Sequence, residues 1–145
     1  RQVEGEKLKA DVLSRADYII ECVEFVEERS PQTVKEYNEK LKARIQELIG
    51  DAAVDEQRLL NEAAIYADKI AVAEETVRLR SHISQLRTFL EADEAIGRKL
   101  DFLVQEINRE ANTIGSKAQD VEIAKRVISI KAEVEKIREQ IQNIE

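Results

Sequence analysis

The chain has 145 residues, of which 37% are charged and only 4% aromatic, with one Pro, four Gly and a net charge of −7. This length suffices for one domain with a modest core, and the abundance of Ala, Glu, Lys, Leu, Ile and Arg is the profile of long helices. The acidic balance excludes a simple basic nucleic-acid-binding domain. The acidity nevertheless belongs mainly to residues 1–77, and residues 78–117 carry a slight basic surplus that suits local contact with a polyanion.

A chain that starts at Arg1 and contains no Met reads as a piece of a longer protein. It has no apolar run long enough to span a bilayer and no signal-peptide pattern at its start. The single cysteine, Cys22, lies between Ile19, Val23 and Val26 and reads as a buried structural thiol. Together these features predict a cytoplasmic protein.

The first helix is predicted over Gln2 to Arg29. Its apolar positions Val12, Ala16, Ile19, Val23 and Val26 form a heptad stripe. Ser30-Pro31 reads as a break, with Ser30 capping a second helix over Pro31 to Ile49 and Pro31 in its first turn. The two helices are expected to form a hairpin. Gly50 is the expected left-handed residue past the helix end, and Asp55 the expected cap of the next helix. That third stretch, Glu56 to Ala92, is long enough that a kink is expected near Asp68–Ala73, where the apolar pattern falters. A turn over Asp93 to Ile96 leads to a fourth helix, about Ile96 to Ile114, with Gly115 ending or bending it. The last helix, from about Asp120, carries the seam Ile123, Val127, Ile130, Val134, Ile137, Ile141 and Ile144. Such β-branched heptads either close a bundle within the chain or pair subunits. The predicted fold is therefore all-α: long antiparallel helices, with a helical hairpin or connector over residues 1–50 and a coiled-coil-like bundle over 51–145.

The fourth helix is chemically dense. Arg98, Asp101, Gln105, Arg109, Asn112 and Ser116 form one polar strip, and Lys99, Phe102, Glu106, Glu110, Thr113 and Lys117 form a second beside it. Asn108, Asn112 and Thr113 are poor helix formers that a plain solvated face has no use for. Glu106 and Glu110, one turn apart, place two carboxylates on one face, where they can hold a hard divalent cation or form part of a salt-bridge ladder. Spacing alone leaves both readings open. Arg78, Ser81 and His82 form a further cluster on the third helix, with Glu74 and Glu75 upstream. His82 is the only histidine, a residue type suited to acid–base or metal-ligand roles.

The block Gly97-Arg-Lys-Leu-Asp-Phe-Leu-Val-Gln-Glu-Ile-Asn-Arg-Glu-Ala-Asn-Thr-Ile-Gly-Ser-Lys117 resembles the signature of the YicC-like family. So do Glu74-Glu75 through Arg78-Leu-Arg-Ser-His82, and the terminal Ile137-Arg-Glu-Gln-Ile-Gln-Asn-Ile-Glu145, in the family's order. The resemblance implies the C-terminal helical part of a metal-dependent endoribonuclease, a family once described as stress-induced proteins. It further implies an N-terminal domain absent here, RNA as substrate, a divalent metal of the Mg or Mn type, and a ring-like homo-oligomer. The chain departs from the family at Ala71, where an acidic residue is common, and at Ile107, where Met is common.

On that resemblance, His82, Glu106, Arg109 and Glu110 are the expected catalytic residues, with Glu106 and Glu110 on the metal and His82 as a general acid or base if the third helix packs beside the fourth. Arg78, Arg98, Lys99, Asn108, Asn112 and Lys117 are the expected contacts to RNA phosphate and ribose. The competing reading is a structural, oligomerisation or RNA-binding module whose catalysis lies in the N-terminal domain.

Overall fold

The structure, a computed structural model, describes residues 2–50, 55–92 and 97–144. All regular structure among them is helical: α1 (Gln2–Ile49), α2 (Glu56–Ile70), α3 (Ala73–Glu91), α4 (Gly97–Lys117) and α5 (Val121–Ile144). The fold class is thus all-α, as the periodicity predicts. The expected turn over Asp93 to Ile96 lies outside the described residues.

Four helices close a ring of contacts, α1 to α3 to α4 to α5 and back to α1. Cross-links show that neighbours run antiparallel. Arg80 and Arg87 of α3 reach Glu27 and Asp17 of α1 in reverse order along the chain, and Glu133 and Gln140 of α5 reach Arg15 and Asp11 likewise. The heptad positions face inward. Val12, Ala16, Ile19, Val23 and Val26 from α1 meet Leu79, Ile83, Leu86 and Leu90 from α3, and Leu103, Ile107, Ala111 and Ile114 from α4. Ile123, Val127, Ile130, Val134, Ile137 and Ile141 of α5 complete the core, so this seam is consumed within the chain. Cys22 is fully buried among them, as expected.

The hairpin expected at Ser30-Pro31 does not form there, because α1 runs straight through Pro31. A proline inside a helix removes one hydrogen bond and costs about 3 kcal/mol. Three features offset it. Ser30 is itself a seam residue, 8% exposed, four positions after Val26, so the inward stripe stays in phase into Val34, Tyr37 and Leu41. The Thr33 hydroxyl donates to the Ser30 carbonyl at 2.7 Å. Arg29 spans the proline, donating forward to Glu36 at 3.3 and 3.4 Å and sideways to Asp120 at 3.0 and 3.2 Å.

The turn back comes at Gly50, whose φ of 59° is the left-handed conformation that glycine adopts without penalty. The distal part of α1 and α2 then form a two-helix arm. Tyr37 and Tyr66 stack across it with centroids 3.6 Å apart, and the Tyr66 hydroxyl donates to Gln119 at 2.9 Å. Asp55 caps α2 by accepting from the Arg58 amide at 3.1 Å, as read from the sequence. The expected kink is a full break, with Ala71 extended between α2 and α3. Gly115 neither ends nor interrupts α4, which continues to Lys117. Its missing side chain serves packing, since a Cβ there would lie 3.2 Å from Val127 Cγ1 of α5.

Asp120 caps α5 through the Ile123 amide and holds Arg29, whose hydrogen bond keeps the Asp120 carboxyl below the usual carboxylate range. Hydrogen bonds from Arg15 and Arg80 do the same for Asp11 and Glu27. Carboxyls depressed in the folded state stabilise it above their unfolded pKa of about 4, and that stability is lost as pH falls through the lower folded values. Thermal melts followed by circular dichroism are therefore expected to be flat from neutrality to about pH 5 and to fall below about pH 4. Asp120→Ala should cost about 1 kcal/mol at neutral pH through the lost cap and should make the acid fall shallower. An unchanged acid slope would remove Asp120 from this account.

Candidate metal centre and basic face

The antiparallel packing of α3 on α4 orders the polar residues between them. Passing along the interface, Glu75 meets Lys117, Arg78 meets Glu110, His82 meets Glu106 and Glu110, and Phe89 meets Lys99. The second strip of α4 therefore borders α3, with Lys99 and Phe102 at its start still exposed. The first strip faces outward, with Arg98, Gln105, Arg109, Asn112 and Ser116 exposed and Asp101 half-buried.

His82, Glu106 and Glu110 each present a liganding atom, and these atoms lie within 4.8 Å of one another. Among the described residues this is the one such group of three. Ligands sharing a cation with bonds of about 2.1 Å stand roughly 3–4 Å apart, so a small side-chain adjustment would close the set. Glu106 has rotatable bonds and is half-buried, which permits that adjustment. Glu110 is 5% exposed and accepts from Arg78 Nε at 2.9 Å through Oε1. His82 Nδ1 is buried without a hydrogen-bond partner among the described residues, a condition that costs on the order of 1–3 kcal/mol if left uncompensated. One imidazole and two carboxylates make a donor set that suits a borderline divalent cation such as Mn²⁺ better than Mg²⁺, which prefers oxygen alone. The residues present fit the group that the resemblance implied, with His82 added to the expected Glu106 and Glu110.

Beside this cluster runs an ion-pair chain in which buried carboxylates meet partly exposed cations. Glu75 is 1% exposed and accepts from Lys117 Nζ at 2.8 Å and from Arg78 at 3.5 Å, both at Oε1. Arg78 thus bridges Glu75 and Glu110, and its hydrogen bond to Glu110 raises its pKa further above the ordinary arginine value. Arg78 and Lys117, expected at RNA phosphate, are both engaged in these internal pairs. Arg109 is differently placed: its side chain is 73% exposed, with only a long 4.0 Å contact to Glu106. Asn112 is exposed and Asn108 half-buried on the same side. Arg98 and Lys99 are exposed near the start of α4, about two turns from Glu106.

Glu75 did not stand out in the sequence as part of this network, although a signal was present. The buried stripe of α3 runs Glu75, Leu79, Ile83, Leu86, Leu90, so a carboxylate occupies a seam position. Glu110 likewise falls between Ile107 and Ile114 on the stripe of α4.

What these features define is an antiparallel helical bundle domain bearing a histidine–dicarboxylate cluster, with guanidinium and amide groups exposed alongside. Residues 26–145 match the family described as "Endoribonuclease YicC-like, C-terminal", and the chain belongs to that family. It is 52% identical over its whole length to a protein of Clostridioides difficile (strain 630) named "Probable endoribonuclease YicC". It is 37% identical over 98% of its length to the protein of the same name from Haemophilus influenzae (strain ATCC 51907 / DSM 11121 / KW20 / Rd). The chain covers 50% and 49% of those two proteins, about half the length of each. No helix among the described residues is long and apolar enough to cross a membrane.

Proposed function

We propose that this chain supplies the metal-binding half of an endoribonuclease that hydrolyses RNA phosphodiester bonds. The observation that carries the reading is the convergence of His82, Glu106 and Glu110 from two helices within 4.8 Å, beside an exposed Arg109. The names of the relatives support RNA as the substrate class.

In this reading His82, Glu106 and Glu110 hold a divalent cation, and His82 serves as ligand instead of a freestanding acid or base. When bound, the cation supplies charge neutralisation at the reacting phosphate. The exposed Arg109 guanidinium adds a second positive charge to the same phosphate through paired N–H donors. Asn108 and Asn112 donate to phosphate or ribose oxygens from the adjoining turns. Arg98 and Lys99 attract the strand along α4. Arg78 and Lys117 act from behind: Arg78 fixes the Glu110 carboxylate, and Lys117 fixes Glu75, which in turn holds Arg78.

The test is metal removal and return in the full-length protein carrying this chain. Exhaustive chelation is expected to stop cleavage of a single-stranded RNA, and Mn²⁺ to restore it at lower concentration than Mg²⁺. Mn²⁺ binding to this chain, followed by electron paramagnetic resonance, should weaken about tenfold or more in His82→Ala. Cleavage that persists after chelation, or Mn²⁺ affinity untouched in His82→Ala, would defeat the assignment. In that event the chain reads as a structural or RNA-binding module whose catalysis lies elsewhere in the protein.

A further inference from the structure

We propose that the cleft formed by Gln85, Phe89, Arg98, Lys99, Phe102 and Leu103 is a stacking subsite for one unpaired nucleobase, set one helical turn from the Glu106 carboxylate. The proposal rests on the endoribonuclease reading of the α3–α4 face and names the form in which it takes its substrate.

The cleft is a shallow depression open to solvent, with a volume of about 280 Å³. Its floor is Leu103, which is buried, and Phe89, which packs against the core. Its rim is Phe102, 58% exposed on a helix whose other outward positions are polar. An isolated aromatic on such a face gains nothing from helix propensity, where Lys, Gln or Glu would serve better. Two cations stand with it. Arg98 and Lys99 are both exposed, and Lys99 Nζ lies 5.5 Å from the Phe89 ring centroid. Aromatic faces interleaved with cations are what a single nucleic-acid strand requires: rings to stack bases and charges to hold phosphate. Phe102, Glu106 and Glu110 follow one another at four-residue spacing on the same strip of α4, so the cleft lies about one helical turn along the helix from Glu106. A base stacked on Phe102 thus places its neighbouring phosphate toward Glu106. A paired base hides its faces within the duplex, so the subsite selects unpaired RNA, and stacking tolerates any base identity.

The experiment measures binding, with cutting suppressed. A fluorescein-labelled 2′-O-methyl oligoribonucleotide is titrated with the full-length protein in chelator, and fluorescence anisotropy is recorded. Single abasic positions are scanned along the strand. Phe102→Leu is expected to weaken binding of the intact strand roughly ten- to a hundredfold, while Phe102→Tyr stays near wild type. At least one abasic position should weaken wild type by a similar factor and leave Phe102→Leu unaffected. Because the ring is exposed, Phe102→Leu should melt within about 2 °C of wild type. Equal binding by Phe102→Leu, or equal loss for intact and abasic strands, would overturn the subsite. So would a change in sedimentation mass at unchanged RNA affinity, which would make Phe102 a protein contact. The two readings fail separately: base-dependent binding that needs Phe102 can survive a Glu106→Gln variant that still cleaves, and the reverse.

Discussion

Glu106→Gln in the full-length protein is expected to lower RNA cleavage by on the order of a hundredfold or more. Groups that merely orient a metal ligand already contribute 10–100-fold to affinity or activity, so removing a ligand charge should exceed the lower end of that range. The substitution isolates chemistry from folding. Gln has the shape of Glu, the side chain of Glu106 is 20% exposed, and among the described residues its one contact to a cation, Arg109, is a long 4.0 Å. Glu110→Gln should lose as much activity and also some stability, because Glu110 is the 2.9 Å partner of Arg78. Arg109→Ala, which touches no buried group, should reduce the cleavage rate while Mn²⁺ affinity stays near wild type. Full activity in Glu106→Gln would separate the carboxylate cluster from cleavage.

Lys117→Met is expected to be among the most destabilising surface-edge changes in the bundle. It leaves the Glu75 carboxylate, 1% exposed, with only the 3.5 Å contact to Arg78. Removing one partner from a buried pair costs about 3–5 kcal/mol. Here the lysine is 35% exposed and Arg78 remains, so about 2–3 kcal/mol is the expected loss. That corresponds to a fall of roughly 5–10 °C in melting temperature for a chain of this size. Glu75→Gln in the Lys117→Met background should recover part of it, because the neutral amide needs no counter-charge. A double-mutant cycle by chemical denaturation measures the coupling. Strictly additive single effects would mean that the 2.8 Å pair contributes nothing to folding.

The helical seams were legible because period and phase are written directly into the order of apolar residues. Asp55 as a cap and Gly50 as the reversal were legible for the same reason: each depends on local backbone geometry. Ser30-Pro31 misled, since local chemistry favours a break there while tertiary packing rewards continuity on both sides. Only the position of Ser30 on the stripe, in step with Val26 and Val34, pointed the other way. Gly115 misled similarly, because closeness to Val127 is a property of two helices together. For the site, Glu106 and Glu110 could be paired from their spacing. The approach of His82 to them depends on the register between α3 and α4, which the connecting residues and the facing core side chains determine jointly. No pattern within either helix carries that register. Arg78 and Lys117 looked available for phosphate because the stripe positions of Glu75 and Glu110 do not disclose which cations from the facing helix meet them.

The arm formed by α2 and the distal part of α1 has a different character from the bundle. Its apolar residues face one partner helix instead of two, and Leu48, Leu60 and Ile65 remain 52–70% exposed. Few of its side chains are withdrawn from water on every side, so little free energy separates its closed form from local opening. Its junction with the rest of the chain is Pro31, where one backbone hydrogen bond is missing, and the extended Ala71 on the returning strand of the path. The molecule therefore combines a densely packed body, whose order holds the His82 cluster in register, with an arm whose local opening would leave that register intact.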